Sequence, residues 1–148
     1  MSLSQLHAFH FSRDRRCSRS FSLQPHITPM NFKNALSGIA VKDIDAAIIW
    51  YEGLIGRPPD IRPLEGVAAW QFPEGGWIEI FREEERAGMS TVILAVVSLE
   101  FQLAELTKKG IPVNYHTPSA DIGEVAIIAD PDGNRIVFAG PLTGVLDD

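Results

Sequence analysis

The sequence predicts an α+β domain built from two β-α-β-β-β units, a cupped mixed sheet around a cavity with the helices on its outer face. Three observations carry this reading. Apolar residues recur first at strand and then at helix period, in the same order, twice along the chain. A shift of 55 residues lays Val41 on Val96, Asp43 on Ser98, Ile44 on Leu99 and Ile48 on Leu103, as an internal duplication would. Two turn signals, Pro73-Glu74-Gly75-Gly76 and Asp130-Pro131-Asp132-Gly133-Asn134, join the last two strands of each unit.

The first unit opens with the apolar run 36–41. Asp43 then stands as an N-cap ahead of Ile44, Ala47, Ile48, Tyr51 and Ile55 at helical spacing, and Gly56 with Pro58-Pro59 stops the helix. Extended segments follow near residues 61–64, 67–72 and 77–82. In the second unit, 91–97 is the first strand, Ser98 the cap, and Leu99, Gln102, Leu103 and Leu106 line a helix ending at Gly110. Residues 112–116, 124–129 and 135–140 complete the set.

One domain is expected over residues 33–142, with tails at 1–32 and 143–148, because 148 residues suffice for a single core. The first tail has six serines, four arginines and no sustained apolar period. It reads as a poorly structured extension; its composition also fits an organelle transit peptide, and Met30 would serve equally as a start. Residues 1–30 carry four arginines against Asp14, so the rest of the chain holds −9 of a −6 total. An acidic body argues against nucleic-acid binding. No run of about 20 apolar residues points to a membrane span. The single cysteine, Cys17, fits a reducing, cytoplasmic setting.

The segments GIAVKDIDAAIIWYEGLIG at 38–56, GWIEIF at 76–81, residues 91–110 and IADPDGNRIVF at 128–138 resemble the vicinal-oxygen-chelate superfamily, which includes glyoxalases, extradiol dioxygenases and bleomycin-resistance proteins. The resemblance implies that each unit forms half of a cup around one ligand cavity, and that the protein pairs as a homodimer. It also implies four metal-ligand positions, on the first and fourth strands of each unit. Here they fall on Leu36, Glu79, Thr91 and Val137, and only Glu79 is a competent ligand. A catalytic divalent site needs about three protein ligands, so no metal and no other cofactor is expected.

Strand alternation extends the list of lining residues, since residues two apart share a face. With Leu36, Glu79, Thr91 and Val137 facing the cup, Gly38, Ala40, Trp77, Phe81, Ile93, Ala95, Arg135 and Ala139 face it too. Ile39, Val41, Ile78, Ile80, Leu94, Val96, Ile136 and Phe138 then form the core under the helices. The lining is apolar or aromatic with three polar members, Glu79, Thr91 and Arg135, which suits a partly aromatic organic ligand. Trp77 is the candidate stacking surface, and Trp70, whose facing the pattern leaves open, a further contact. Tyr115 and His116 lie where a loop would close the cup. Trp50 and Tyr51 read as core.

Glu79 carries two readings. It is either a structural partner of Arg135, or a ligand anchor or general base. The leading function is a metal-free binding protein for a small organic molecule. The alternatives are a metal-independent lyase or isomerase using Glu79 for proton transfer, a metal-dependent enzyme of the glyoxalase or dioxygenase type, and a module whose cavity is filled by its own side chains.

Overall fold

The computed structural model describes residues 31–119 and 123–141. The tails expected at 1–32 and 143–148 therefore fall almost wholly outside the described residues. The described residues from Asn34 to Pro141 form one compact unit.

Its elements follow the expected duplicate order. Strand β1 (Leu36–Val41) leads into helix α1 (Ile44–Ile55), then β2 (Val67–Gln71) and β3 (Trp77–Arg82). Strand β4 (Thr91–Ala95), helix α2 (Leu99–Lys108), β5 (Tyr115–Ser119), β6 (Gly123–Ala129) and β7 (Arg135–Gly140) repeat the plan. The strands form two open sheets, ordered β1-β3-β2 and β4-β7-β6-β5. In each sheet the first strand of the unit pairs parallel with the last, starting from Leu36 opposite Trp77 and from Thr91 opposite Arg135. The sequence repeat is thus a structural repeat.

Several strands end one or two residues from the expected bounds, and two expected strands differ by more than that. Residues 61–64 make only an isolated bridge, Ile61 to Ala69, because Pro63 has no N–H to extend a ladder. The strand expected at 112–116 begins instead at Tyr115, where Asn114 N–H donates to Ile127 C=O at 2.8 Å and opens the ladder. Pro118 is tolerated within it because β5 is an edge strand.

Both predicted caps form. The Asp43 carboxylate accepts from the backbone N–H of Asp45 and Ala46 at 3.0 and 3.1 Å, and the Ser98 hydroxyl from Phe101 at 3.2 Å. Gly56 closes α1 in the left-handed region, φ 90°, where a side chain would be strained. Asp43→Ala is expected to cost ~1 kcal/mol, read from a urea unfolding curve, by orphaning the first-turn donors. A change below a few tenths would show that solvent caps this helix equally well.

The helical faces of both sheets share one core. Ile39, Val41, Ile78, Ile80, Ile136 and Phe138 are all buried there, with Tyr51, Leu54, Leu99 and Leu106 from the helices. Leu94 and Val96 pack at its margin. The turn at 130–134 is tied into this core by polar contacts. Asp130 Oδ2 accepts from Tyr51 Oη and from Asn134 Nδ2, both at 2.8 Å. Asn134 Nδ2 also donates to Ala40 C=O at 2.8 Å, and its Oδ1 accepts from Gly88 and Ser90 N–H at 2.9 and 3.0 Å. Burial, and then the Asp130 carboxylate, push the Tyr51 phenol up from its ordinary value, so it stays a donor.

Candidate functional site

The opposite, concave faces of the two sheets carry the residues singled out from the sequence. Cross-strand partners share a face, so the register reads as rows of side chains. On the three-stranded sheet, one row is Leu36, Trp77 and Gln71, the next Gly38, Glu79 and Ala69, and the third Ala40, Phe81 and Val67. Glu79 therefore rises between a glycine and an alanine, with Trp77 and Phe81 before and after it on β3. A Cβ added at Gly38 would lie 3.0 Å from Cε1 of Phe81, so the ring leans over the glycine. Trp77, Glu79 and Phe81 are half-buried, and among the described residues the Glu79 side chain has no hydrogen bond or ion pair.

On the four-stranded sheet, Thr91, Arg135 and Ala129 make one row, and Ile93, Val137, Ile127 and Tyr115 a wide apolar row beside it. Ile93 is 63 % exposed and Tyr115 52 %. A cavity of about 380 Å³ opens here, lined by Asn114, Tyr115, Ile127, Ala129 and Arg135. Leu36, Gly38, Trp77, Glu79 and Phe81 are thus brought together on one sheet, and Thr91, Ile93, Tyr115, Arg135 and Val137 on the other.

Three expectations are corrected. Trp70 pairs with Ile78 and is fully buried on the helical face, its Nε1 donating to Arg57 C=O at 2.9 Å. It is a core residue, its ring tilted 40° to that of Tyr51 at 6.2 Å between centroids. His116 pairs with the buried Ala126, so it also points away from the concave face; its Nε2 lies 3.8 Å from Glu124 Oε2 at the sheet's margin. The Glu79 and Arg135 pair is not formed, because the two residues belong to different sheets.

Sequence reasoning passed over Ala69, Gln71, Ile127, Ala129 and Asn114. The first two follow from the hairpin, in which Phe72 N–H donates to Gly76 C=O at 2.8 Å and sets Gln71 opposite Trp77. Ile127 and Ala129 follow from the β6–β7 pairing, opposite Val137 and Arg135, and Asn114 from the β5 register, which carries no local signal.

No family model matches the sequence, and a search of curated proteins finds no match. Among solved structures, a glyoxalase/bleomycin resistance protein from Catenulispora acidiphila is 33% identical, with 74% of this chain and 100% of that one aligned at a TM-score of 0.67. The chain belongs to the glyoxalase/bleomycin resistance family. A bleomycin-binding protein solved with bleomycin aligns over 74% of this chain and 99% of its own at TM-score 0.63 and 18% identity. A glyoxalase/bleomycin resistance protein from a Streptomyces species gives 0.63 at 20% identity, over 73% and 100% of the two chains. Likenesses at these lower identities speak for the fold.

This glyoxalase/bleomycin-resistance fold has a donor set that does not fit a metal ion. At the four superfamily positions the structure holds Leu36 and Glu79 on one sheet and Thr91 and Val137 on the other, one carboxylate among groups that cannot complete a site. Among the described residues, no three His, Cys, Asp or Glu side chains are grouped so as to hold one. No helix among them is long and apolar enough to cross a membrane.

Proposed function

We propose that this member of the glyoxalase/bleomycin resistance family is a metal-free binding protein that holds a small, partly aromatic organic molecule on its concave sheet faces and releases it unchanged. The observation that carries the reading is the Glu79 row. A carboxylate without a partner among the described residues stands over Gly38 and Ala69, between the rings of Trp77 and Phe81. That combination offers one charge-assisted contact within an aromatic slot. Leu36, Ile93, Thr91, Arg135, Val137 and Tyr115 supply the remaining lining. The bleomycin complex of a protein with this fold supports a ligand of that general kind.

The lyase or isomerase reading, with Glu79 as proton-transfer base, is less well supported. Proton abstraction beside a carbonyl needs donors poised for the developing oxyanion. Arg135 and Thr91 would supply them, but among the described residues neither side chain has a hydrogen-bond partner to hold it in place for that task.

A homodimer is part of this proposal. Leu36, Ile93 and Tyr115 are more than half exposed on the concave faces, an apolar surface that a second copy would cover. Light scattering on the eluted protein should report a dimer, and Ile93→Lys should shift it toward monomer. A parent protein that stays monomeric at high concentration ends the dimer claim. The function itself is tested by native mass spectrometry of protein purified without added ligand. A small organic molecule carried through purification, and recovered chemically intact after incubation, is the expected result. Recovery of a transformed product would favour the enzyme reading.

A further inference from the structure

A larger concavity, of about 610 Å³, lies on the other side of the second sheet, where the two repeats meet. Its floor is set by Leu94, Val96 and Phe138, which belong to the helical face. The duplication supplies an internal comparison. In the first repeat, the residues 55 positions earlier, Ile39 and Val41, are 1% and 0% exposed, whereas Leu94 and Val96 are only half-buried. In both repeats the helix packs away from the first strand, α1 over β3 and α2 over β6 and β7. Strand β1 is covered further by the turn at 84–86, whereas β4, an edge strand, has no corresponding turn against it among the described residues. The end of α1 supplies one wall through Leu54, and the turn after β2 another through Phe72. Lys109 Nζ, donating to Leu54 C=O at 3.0 Å, joins the C-terminal ends of the two helices nearby.

The rim is polar but electrically balanced. Arg57 donates to Asp60 Oδ1 at 2.6 Å and to the Gln71 carbonyl, while Asp60 Oδ2 accepts from Gln71 N–H at 2.7 Å. The bond from Arg57, with the Gln71 N–H, holds the Asp60 carboxyl below the usual carboxylate range, so the pair stays ionised and each charge answers the other. Gln102 also lines the cavity, and among the described residues its side-chain amide makes no hydrogen bond. It offers one donor and one acceptor toward the apolar floor.

We propose that this cavity, which shares only its margin residues Gln71 and Ala95 with the concave faces, is a second ligand site for an uncharged and mainly apolar molecule bearing one amide- or hydroxyl-type group that meets Gln102. Its volume lies within the range of roughly 300–1,000 Å³ common to small-molecule sites. A charged ligand would lose hydration there, because the charges among the lining residues, Arg57 and Asp60, already answer each other, and Lys109 behind the Leu54 wall is not among them.

The test titrates the full-length protein with N-phenyl-1-naphthylamine, a neutral fluorescent probe, and maps the contacts by amide chemical shifts. Saturable one-to-one binding is expected, with shifts at Ile55, Val96 and Gln102 and none at Glu79 or Ile127. Leu94→Lys, which sets a charge into the floor, should weaken binding about tenfold or more when measured well below its unfolding midpoint, which the lost core contact is expected to lower. Gln102→Leu should weaken it less, about threefold, by removing one neutral hydrogen bond. The anionic 8-anilinonaphthalene-1-sulfonate should bind about tenfold more weakly than the neutral probe. Absence of binding, equal binding of both probes, or indifference to Leu94→Lys would overturn the proposal. So would shifts confined to Glu79 and Ile127, which would instead place the probe on the concave face and leave the preceding functional reading intact.

Discussion

Asn134→Ala is expected to lower the stability of the domain by ~3–5 kcal/mol, read as a fall in denaturation midpoint at unchanged slope. Asn134 is fully buried and serves four partners with one side chain: Ala40 C=O, Asp130 Oδ2, and the N–H groups of Gly88 and Ser90. Truncation removes a bond from each of them, and an unmet buried polar group costs about 1–3 kcal/mol where water cannot reach it. Asp130 keeps Tyr51 and two backbone donors, Asp132 and Asn134 N–H, so its share of the loss is small. The other three partners carry the cost. Tyr51→Phe removes a single bond and should cost less, about 1–2 kcal/mol. Asn134→Asp keeps the acceptor, but it loses both donors and sets a second carboxylate against Asp130, so it should be as damaging as alanine. A loss under 1 kcal/mol for Asn134→Ala would mean that solvent enters the turn and that the network does not bind the two repeats together.

That network also bears on the candidate site. Ala40 is the last concave-face residue of β1, and Asn134 immediately precedes Arg135, the first concave-face residue of β7. One buried amide thus fixes the ends of two strands that carry lining residues in different sheets. Loosening it should blur both concave faces, so ligand affinity should fall in Asn134→Ala even though the residue touches no ligand.

The fold was legible from sequence because its signals are local and doubled. Asp43 and Ser98 mark helix starts 55 residues apart, and both cap. The core face of β1, β3 and β7 was legible as well, since Ile39, Val41, Ile78, Ile80, Ile136 and Phe138 alternate with the lining residues. Where alternation fails, so did the reading. In β2 the run Val67, Ala68, Ala69, Trp70 is apolar on both faces, and only the hairpin bonds decide that Trp70 points inward. His116 was misplaced for a related reason, because the face of β5 is set by pairing with Ala126 rather than by its own pattern. The contact of Tyr51 with Asp130 spans 79 residues and leaves no trace at either position alone. The Glu79 to Arg135 pairing assumed one shared wall, but the strands divide between two sheets.

That division sharpens what Glu79→Gln should do. With Arg135 on the other sheet, removing the carboxylate strands no buried guanidinium, so stability should stay within about 0.5 kcal/mol of the parent or rise slightly. Ligand affinity should instead fall by ~1–3 kcal/mol, roughly 5- to 150-fold, the worth of a charge-assisted bond in a partly desolvated slot. Glutamine keeps the length and one acceptor oxygen, so a ligand that merely fills the space between Trp77 and Phe81 would be indifferent to the change. Trp77→Leu separates the two contributions. It removes the stacking surface one row away on the same face and leaves the carboxylate in place, and it should weaken an aromatic ligand by about 0.5–2 kcal/mol. Combined, the two changes should lose more than either alone, and a shortfall from additivity would measure how far ring and carboxylate grip the same part of the ligand. Isothermal titration of the parent and the three variants, with the molecule recovered from the purified protein, reads all of this at once. The proposed anchoring role fails if Glu79→Gln retains full affinity, and the assignment of Glu79 as unpaired fails if that variant unfolds several kcal/mol more easily, as loss of a buried ion-pair partner would require.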